Sequence, residues 1–290
     1  TPMGIEEGVH TFKAETDFAD DEVATNNALT FTLPNLKNVE MLGYRWDAYG
    51  YAGMMRVQTN NPEAADYMLE MTPNDALVIA AERAQGKIYA FTATWYGASR
   101  EFVVIDPVTW TVERSIENTD DYILDMAYDH RHGTLYGLKP DGENVQLVTI
   151  DIENGIALPV GNTGKVMRTL ACGLESKLYA ISEDGGFYTL DATTGAATLT
   201  GMTGIDKVVF LQSMGFDHRS GRLFWAHTSD NVNGDLYEID PETGIATRLG
   251  GVLKDGNDPT EIVGLHSAYD PVFDSIEPTH VSTSFTLGYD

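Results

Sequence analysis

Apolar residues in this chain fall in short runs that often alternate with polar positions. The runs are rich in Val, Ile, Thr and Tyr, and Gly, Asp, Asn or Pro closes them. This is the pattern of half-buried strands and tight turns, and no segment of helical period stands between them. One stretch gives the scheme: Asp217-His218-Arg219-Ser220-Gly221, then Arg222-Leu223-Phe224-Trp225-Ala226, then Leu236-Tyr237-Glu238-Ile239-Asp240-Pro241-Glu242-Thr243-Gly244. It reads as strand, polar turn, strand, loop, strand, turn.

The scheme recurs. Met41-Leu42-Gly43-Tyr44, Ile88-Tyr89-Ala90-Phe91, Leu135-Tyr136-Gly137-Leu138, Leu178-Tyr179-Ala180-Ile181 and Leu223-Phe224-Trp225-Ala226 are copies of one strand. Their anchors, at 42, 89, 136, 179 and 224, are spaced by 47, 47, 43 and 45 residues, a propeller-blade period. An apolar innermost strand precedes each of the last four anchors, beginning near 77, 123, 169 and 211, and a fifth copy stands at Glu261-Ile262-Val263-Gly264-Leu265-His266. The last innermost strand has no second strand after it, and the second strand at 41–46 has no clear innermost strand before it. They complete one another if the ring closes through the C-terminal strand, which leaves no unpaired blade edge. The fold expected is an all-β propeller of four-stranded antiparallel blades, five in number, or six if residues 1–38 add strands of their own.

Residues 1–38 fit the repeat poorly and read as an acidic tail or lead-in, with Phe31-Thr32-Leu33-Pro34 as one candidate strand. The propeller is expected over 39–270. Residues 271–290 read as an exit segment or linker.

At its Asp-Pro-x-Thr-Gly turns and Gly-x-Leu-Tyr strands the chain resembles bacterial propeller repeats of the YncE-like, kelch-like and quinoprotein-like groups. It is most similar to propellers on secreted, multi-module surface proteins, over roughly residues 40–270. The kelch double glycine and the Trp-Asp dipeptide do not recur from blade to blade, since Gly185-Gly186, Gly250-Gly251 and Trp46-Asp47 are isolated instances, and the quinone-binding tryptophan motif is not reproduced, so the resemblance carries over no catalytic residue. It implies a secreted or cell-surface bacterial module.

Charge narrows the partners. Asp and Glu number 44 against 18 Lys and Arg, a net charge of −26. Such a field repels nucleic-acid backbones and anionic lipid, and favours cations, neutral sugars or a protein with a basic patch. No apolar run reaches the roughly 18 residues of a membrane-spanning helix. The single cysteine, Cys172, excludes an intrachain disulfide and sits in an apolar run as a small core residue. The chain starts Thr1-Pro2-Met3, and a removed export signal with a monomeric place in a larger chain is the expectation.

Four sets of residues are candidates for chemistry. Asp151, Asp191 and Asp240, each four residues before a Gly, suit turn caps. As Ca²⁺ loops they would fall short of the roughly six to eight oxygens that ion takes, so no cofactor is expected and Ca²⁺ is the one candidate weighed. Asp129-His130-Arg131-His132-Gly133 and the stretch from Asp217 to Gly221 read as turns, because sister turns lack histidine. Asp125, alone in an apolar innermost strand, is either a carboxyl of raised pKa or the holder of a backbone amide. The better place for a ligand is the face built by loops from second to third strands and from fourth strands to the next blade. There Trp46, Tyr49, Tyr51, Trp95, Tyr96 and Tyr122 meet Asp120, Asp121, Asp184, Asp230 and Asp258, with Asp47 beside them. Aromatic faces with acids suit a glycan or a basic protein. The function expected is a non-catalytic extracellular binding or scaffold module. The alternative is a carbohydrate-active enzyme, a glycosidase or lyase, using a carboxylate pair at the same face.

Overall fold

The computed structural model describes residues 8–15, 28–35, 38–46, 52–71, 77–93, 100–117, 122–206, 208, 212–228, 234–254, 256 and 258–271. Strands β1 (Gly8–Glu15) and β2 (Ala28–Asn35) pair antiparallel in a sheet of their own, so the lead-in contributes a hairpin and no blade.

Five blades follow. The second is β6 (Leu77–Ala84), β7 (Lys87–Ala93), β8 (Arg100–Ile105) and β9 (Val112–Glu117). The third is β10 (Met126–Asp129), β11 (Thr134–Asp141), β12 (Asn144–Ile150) and β13 (Ala157–Asn162). The fourth is β14 (Met167–Cys172), β15 (Leu178–Ser182), β16 (Gly186–Leu190) and β17 (Ala197–Met202). The fifth is β18 (Ser213–Asp217), β19 (Arg222–Thr228), β20 (Gly234–Ile239) and β21 (Ala246–Gly251), after which β22 (Leu253–Lys254) pairs with β23 (Asp258–Pro259). The first blade is assembled from both ends of the ring. Its strands β3 (Glu40–Trp46), β4 (Ala52–Gln58) and β5 (Asp66–Met71) take β24 (Glu261–Ser267) as their innermost neighbour. The ring closes as the strand count predicts, with five blades.

Burial explains why the ring holds. The buried apolar residues form five clusters, each shared by two neighbouring blades. Phe224, Ala226 and Leu236 of the fifth blade meet Met41, Met55 and Val57 of the first, so the seam is packed like the other interfaces. A blade taken alone would leave its apolar faces wet, and hydrophobic burial here depends on the neighbour.

The Asp-x-x-x-Gly turns are part of this packing. The Asp151 carboxylate accepts the Glu153 amide at 2.8 Å, and the Gly155 amide donates to the Asp151 carbonyl at 2.7 Å. The turn lies on the preceding blade. A Cβ at Gly155 would stand 2.5 Å from that of Phe102 in β8, and φ is +70° there, so only glycine fits. Arg114 of the second blade clasps the same turn through Glu153 and the Ile152 carbonyl.

Candidate functional site

Four of the loop-face candidates have described backbone. Trp46 ends β3, paired with Glu261 of the closing strand. Asp258 lies in β23 opposite Lys254. Tyr122 is half-buried, with the Arg100 guanidinium carbon 5.0 Å from its ring centroid. Asp184 sits in the β15–β16 turn, where it accepts from the Ser182 hydroxyl and the Gly186 amide and pairs with Lys165 at 3.5 Å. The Asp184 carboxylate shapes its own turn, and those bonds hold it below the usual carboxylate range. Tyr49, Tyr51, Trp95, Tyr96, Asp120, Asp121 and Asp230 lie outside the described residues.

Asp125 is the polar centre of the ring. It precedes β10 and is 1% exposed. One carboxylate oxygen accepts the amides of Leu170, in β14, and Met214, in β18, at 2.8 and 3.1 Å. The other accepts the Ser213 hydroxyl at 2.9 Å, and that hydroxyl accepts the Leu265 amide of β24 at 2.7 Å. One carboxyl therefore joins the third, fourth, fifth and first blades. Burial pushes its pKa up to about 8 against the opposing pull of these donors. Both features the sequence left open are present: the carboxyl has a raised pKa and it holds backbone amides.

The other end of the ring, where first strands turn into second strands, gathers side chains that were read one by one as turn residues. Tyr128, His130, His218 and Phe216 form an edge-to-face file across the mouth of the axis. Ring centroids lie 4.8 Å apart for Tyr128 and His130, 4.8 Å for His130 and His218, and 4.9 Å for Phe216 and His218. Burial, then repulsion from His218, lowers the pKa of His130 to about 4; burial also lowers that of His218. Behind the file, burial raises the Glu82 carboxyl well above its ordinary value. The signal for this file was in the sequence: Tyr128-Asp129-His130-Arg131 and Phe216-Asp217-His218-Arg219 repeat aromatic-Asp-His-Arg in two blades that are not adjacent.

Beside the file opens a groove of about 480 Å³, lined among others by His130, Arg131, Leu174, Glu175 and His218. Asp129 forms part of its floor. Its carboxylate accepts the Arg131 and His132 amides at 2.9 and 3.2 Å and the Ser176 hydroxyl at 2.9 Å, and lies 2.7 Å from His132 Nδ1. Burial alone would raise this carboxyl, yet the bonds hold it below the ordinary range. Ser, His and Asp here do not form a nucleophilic relay. In a relay the serine meets the imidazole nitrogen opposite the one held by the carboxylate. In this cluster Ser176 Oγ lies 2.9 Å from the same Nδ1 that Asp129 holds, and Ser176 donates to Asp129 directly. The cluster is a clasp that ties the fourth-blade turn to the third-blade turn. Among the described residues no group of three His, Cys, Asp or Glu has the arrangement to hold a metal ion.

No family model matches the chain, and no curated protein matches its sequence. Solved structures do match its shape. A chain of the nidogen/laminin complex aligns with TM-score 0.51 and 12% identity, covering 79% of this chain and 98% of that one. TolB from Acinetobacter baumannii aligns with TM-score 0.50 and 11% identity over 79% of this chain and 66% of its own, so the match spans just under two thirds of TolB. At such identities the likeness is one of fold alone, and this chain's own strand order makes it a β-propeller of five blades.

Proposed function

We propose that this chain is a non-catalytic binding or scaffold module that works outside the cell and recognises a protein or a glycan through a loop face of the propeller. The observation that supports this reading is the way Asp125 is held. The buried carboxylate a hydrolase could have used, Asp125, is bonded to amides of two blades and to a serine that bridges a third. What the ring offers a ligand is then its end faces, and the sequence supplies the loops of one with aromatic and acidic residues. The net charge of −26 favours a neutral glycan or a basic protein surface.

The test is a glycan array run beside a panel of basic proteins, with a hydrolysis assay on every glycan retained. Retention without turnover, weakened by Trp95→Ala or Tyr122→Ala, is the expected result. Turnover of a retained glycan would replace this reading with a carbohydrate-active enzyme. No retention on either panel would leave a spacer role.

A further inference from the structure

The groove beside Asp129 lies on the opposite end of the ring from the loops considered above, and its charges are arranged unusually for this chain. Acids outnumber bases by more than two to one. Every arginine except Arg131 meets a carboxylate, a phenol or an aromatic ring. Arg131 is exposed at the groove with no side-chain partner among the described residues, although its backbone amide is fixed by Asp129. Glu175 lines the same groove, is exposed, and pairs neither with Arg131 nor with any other described residue.

The backbone adds a second observation. Glu175 and Ser176 both adopt left-handed φ, +56° and +62°. The matching turns of the second, third and fifth blades carry glycine in that region, at Gly86, Gly133 and Gly221, with Gln85 at +51° beside Gly86 in the second. The fourth blade holds two side-chain-bearing residues there instead, pinned by the bonds of Ser176 to Asp129 and His132. Strained conformations of this kind persist where the surroundings over-determine them, and they cluster at ligand clamps. Leu174, 55% exposed, lines the same groove and offers it an apolar surface, as do His130 and His218, whose charged forms burial disfavours.

We propose that this groove binds a short peptide segment bearing one carboxylate for Arg131, one cationic side chain for Glu175, and an apolar side chain between them on Leu174. A volume of about 480 Å³ falls within the roughly 300–1,000 Å³ of small-ligand sites. A segment carrying both charges is neutral, so the acidic field of the ring does not repel it as it would a simple anion. The guanidinium fork suits a carboxylate, which it can grip with two parallel bonds.

The experiment titrates the full chain with acetyl-Asp-Leu-Lys-amide, acetyl-Asn-Leu-Gln-amide and glucuronate, followed by amide shifts in an NMR spectrum and by calorimetry. The charged peptide should shift amides in 129–132 and 173–176 saturably. Arg131→Gln should weaken it by roughly tenfold or more, Arg131→Lys by less, and the neutral peptide should bind no better than that variant. Arg131→Gln should leave the melting temperature nearly unchanged, because the side chain is exposed and has no polar or ring partner among the described residues. Equal binding of the two peptides, or unaltered affinity in Arg131→Gln, overturns the proposal. So does a fall in melting temperature with Arg131→Gln, or saturation by glucuronate alone. Glycan or protein binding at the far loop face is scored separately, and its failure leaves these outcomes untouched.

Discussion

The first and fourth blades share a plan but are made from different kinds of chain. In the fourth, β14 and β15 follow one another through the Leu174–Ser176 turn, and the innermost strand is largely apolar. In the first, β24 reaches β3 from the far end of the ring, and Tyr269 donates to Glu40 across 229 positions. All seven residues of β24 are buried, and they include Glu261, His266 and Ser267. His266 Nδ1 lies 2.8 Å from the Gly264 carbonyl, whereas its Nε2 has no partner among the described residues. Ser267 donates to Asp217 of the fifth blade at 2.7 Å. Loop-closure entropy makes the seam about 3 kcal/mol more costly to form than a local turn. Polar bonds tie both blades to their neighbours, Ser267 to Asp217 at the seam and Leu170 and Ser176 to Asp125 and Asp129 in the fourth blade, but only the seam must also be closed across the whole length of the ring.

Removing the seam should have the largest effect. Deletion of 259–290 takes away the closing strand and bares Met41, Met55 and Leu42. The melting temperature should fall by well over 10 °C or cooperativity should be lost, because the seam cluster is one of five that hold the ring. An unchanged thermal melt would refute closure.

Asp125 joins the two kinds of blade, and its substitutions come next. Asp125→Leu leaves the Leu170 and Met214 amides without an acceptor, at about 1–3 kcal/mol for each. Asp125→Asn keeps one oxygen for those amides and gives Ser213 a donor, so it should cost much less. Denaturant melts of both variants separate the cases.

A methyl probe compares the interfaces directly. Gly155→Ala strikes Phe102 at the junction of two continuous blades, and Gly264→Ala, with φ +57°, strikes Ala81 beside the closing strand. Each should cost roughly 1–3 kcal/mol in chemical denaturation. A clearly smaller loss at Gly264 would show that the seam is looser than the continuous junctions.

The pH profile sharpens the contrast further. The folded pKa of Asp125, about 8, lies above its unfolded value near 4, so its contribution is present below pH 4 and is lost as pH rises through 8. His266 and His130, lowered to about 4, act oppositely: their contribution is present above about pH 6.5 and is lost as pH falls toward 4. Melting curves of Asp125→Asn from pH 5 to 9 should show a shallower alkaline decline, with the part due to Glu82 remaining, and keep the acid one. An alkaline decline of undiminished slope would place its origin elsewhere.

The smallest effect belongs to the fourth-blade turn. Glu175→Asn suits left-handed φ better and should add a few tenths of a kcal/mol. A loss of stability would show that Glu175 has a packing role.

The architecture could be read from the sequence because each blade is written locally. Strand alternation, the aromatic anchor and the Asp-x-x-x-Gly turn all lie within one repeat, and the missing partner at each end predicted the seam. The lead-in hairpin was read only in part, since Phe31–Pro34 carries the strand signal and Gly8–Glu15 is too mixed to show it. The groove was not legible. Arg131, Glu175 and His218 are ordinary turn residues in three different blades, and ring geometry alone brings them together. Asp125 stood out as a lone acid among apolar neighbours, but its partners, at 170, 213 and 214, are distant in sequence.

The seam also has a mechanical consequence. β24 and β3 run antiparallel, and Met41 is opposite Ser267, so the ring's first and last strands leave from the same end of one hydrogen-bond ladder. A pull applied through those two ends loads the ladder at its edge and opens it one bond at a time, as a zipper does, instead of shearing all its bonds at once. The strand pair that closes the ring against heat is thus expected to be the first to part under tension, at low force, while the continuous blades stay intact.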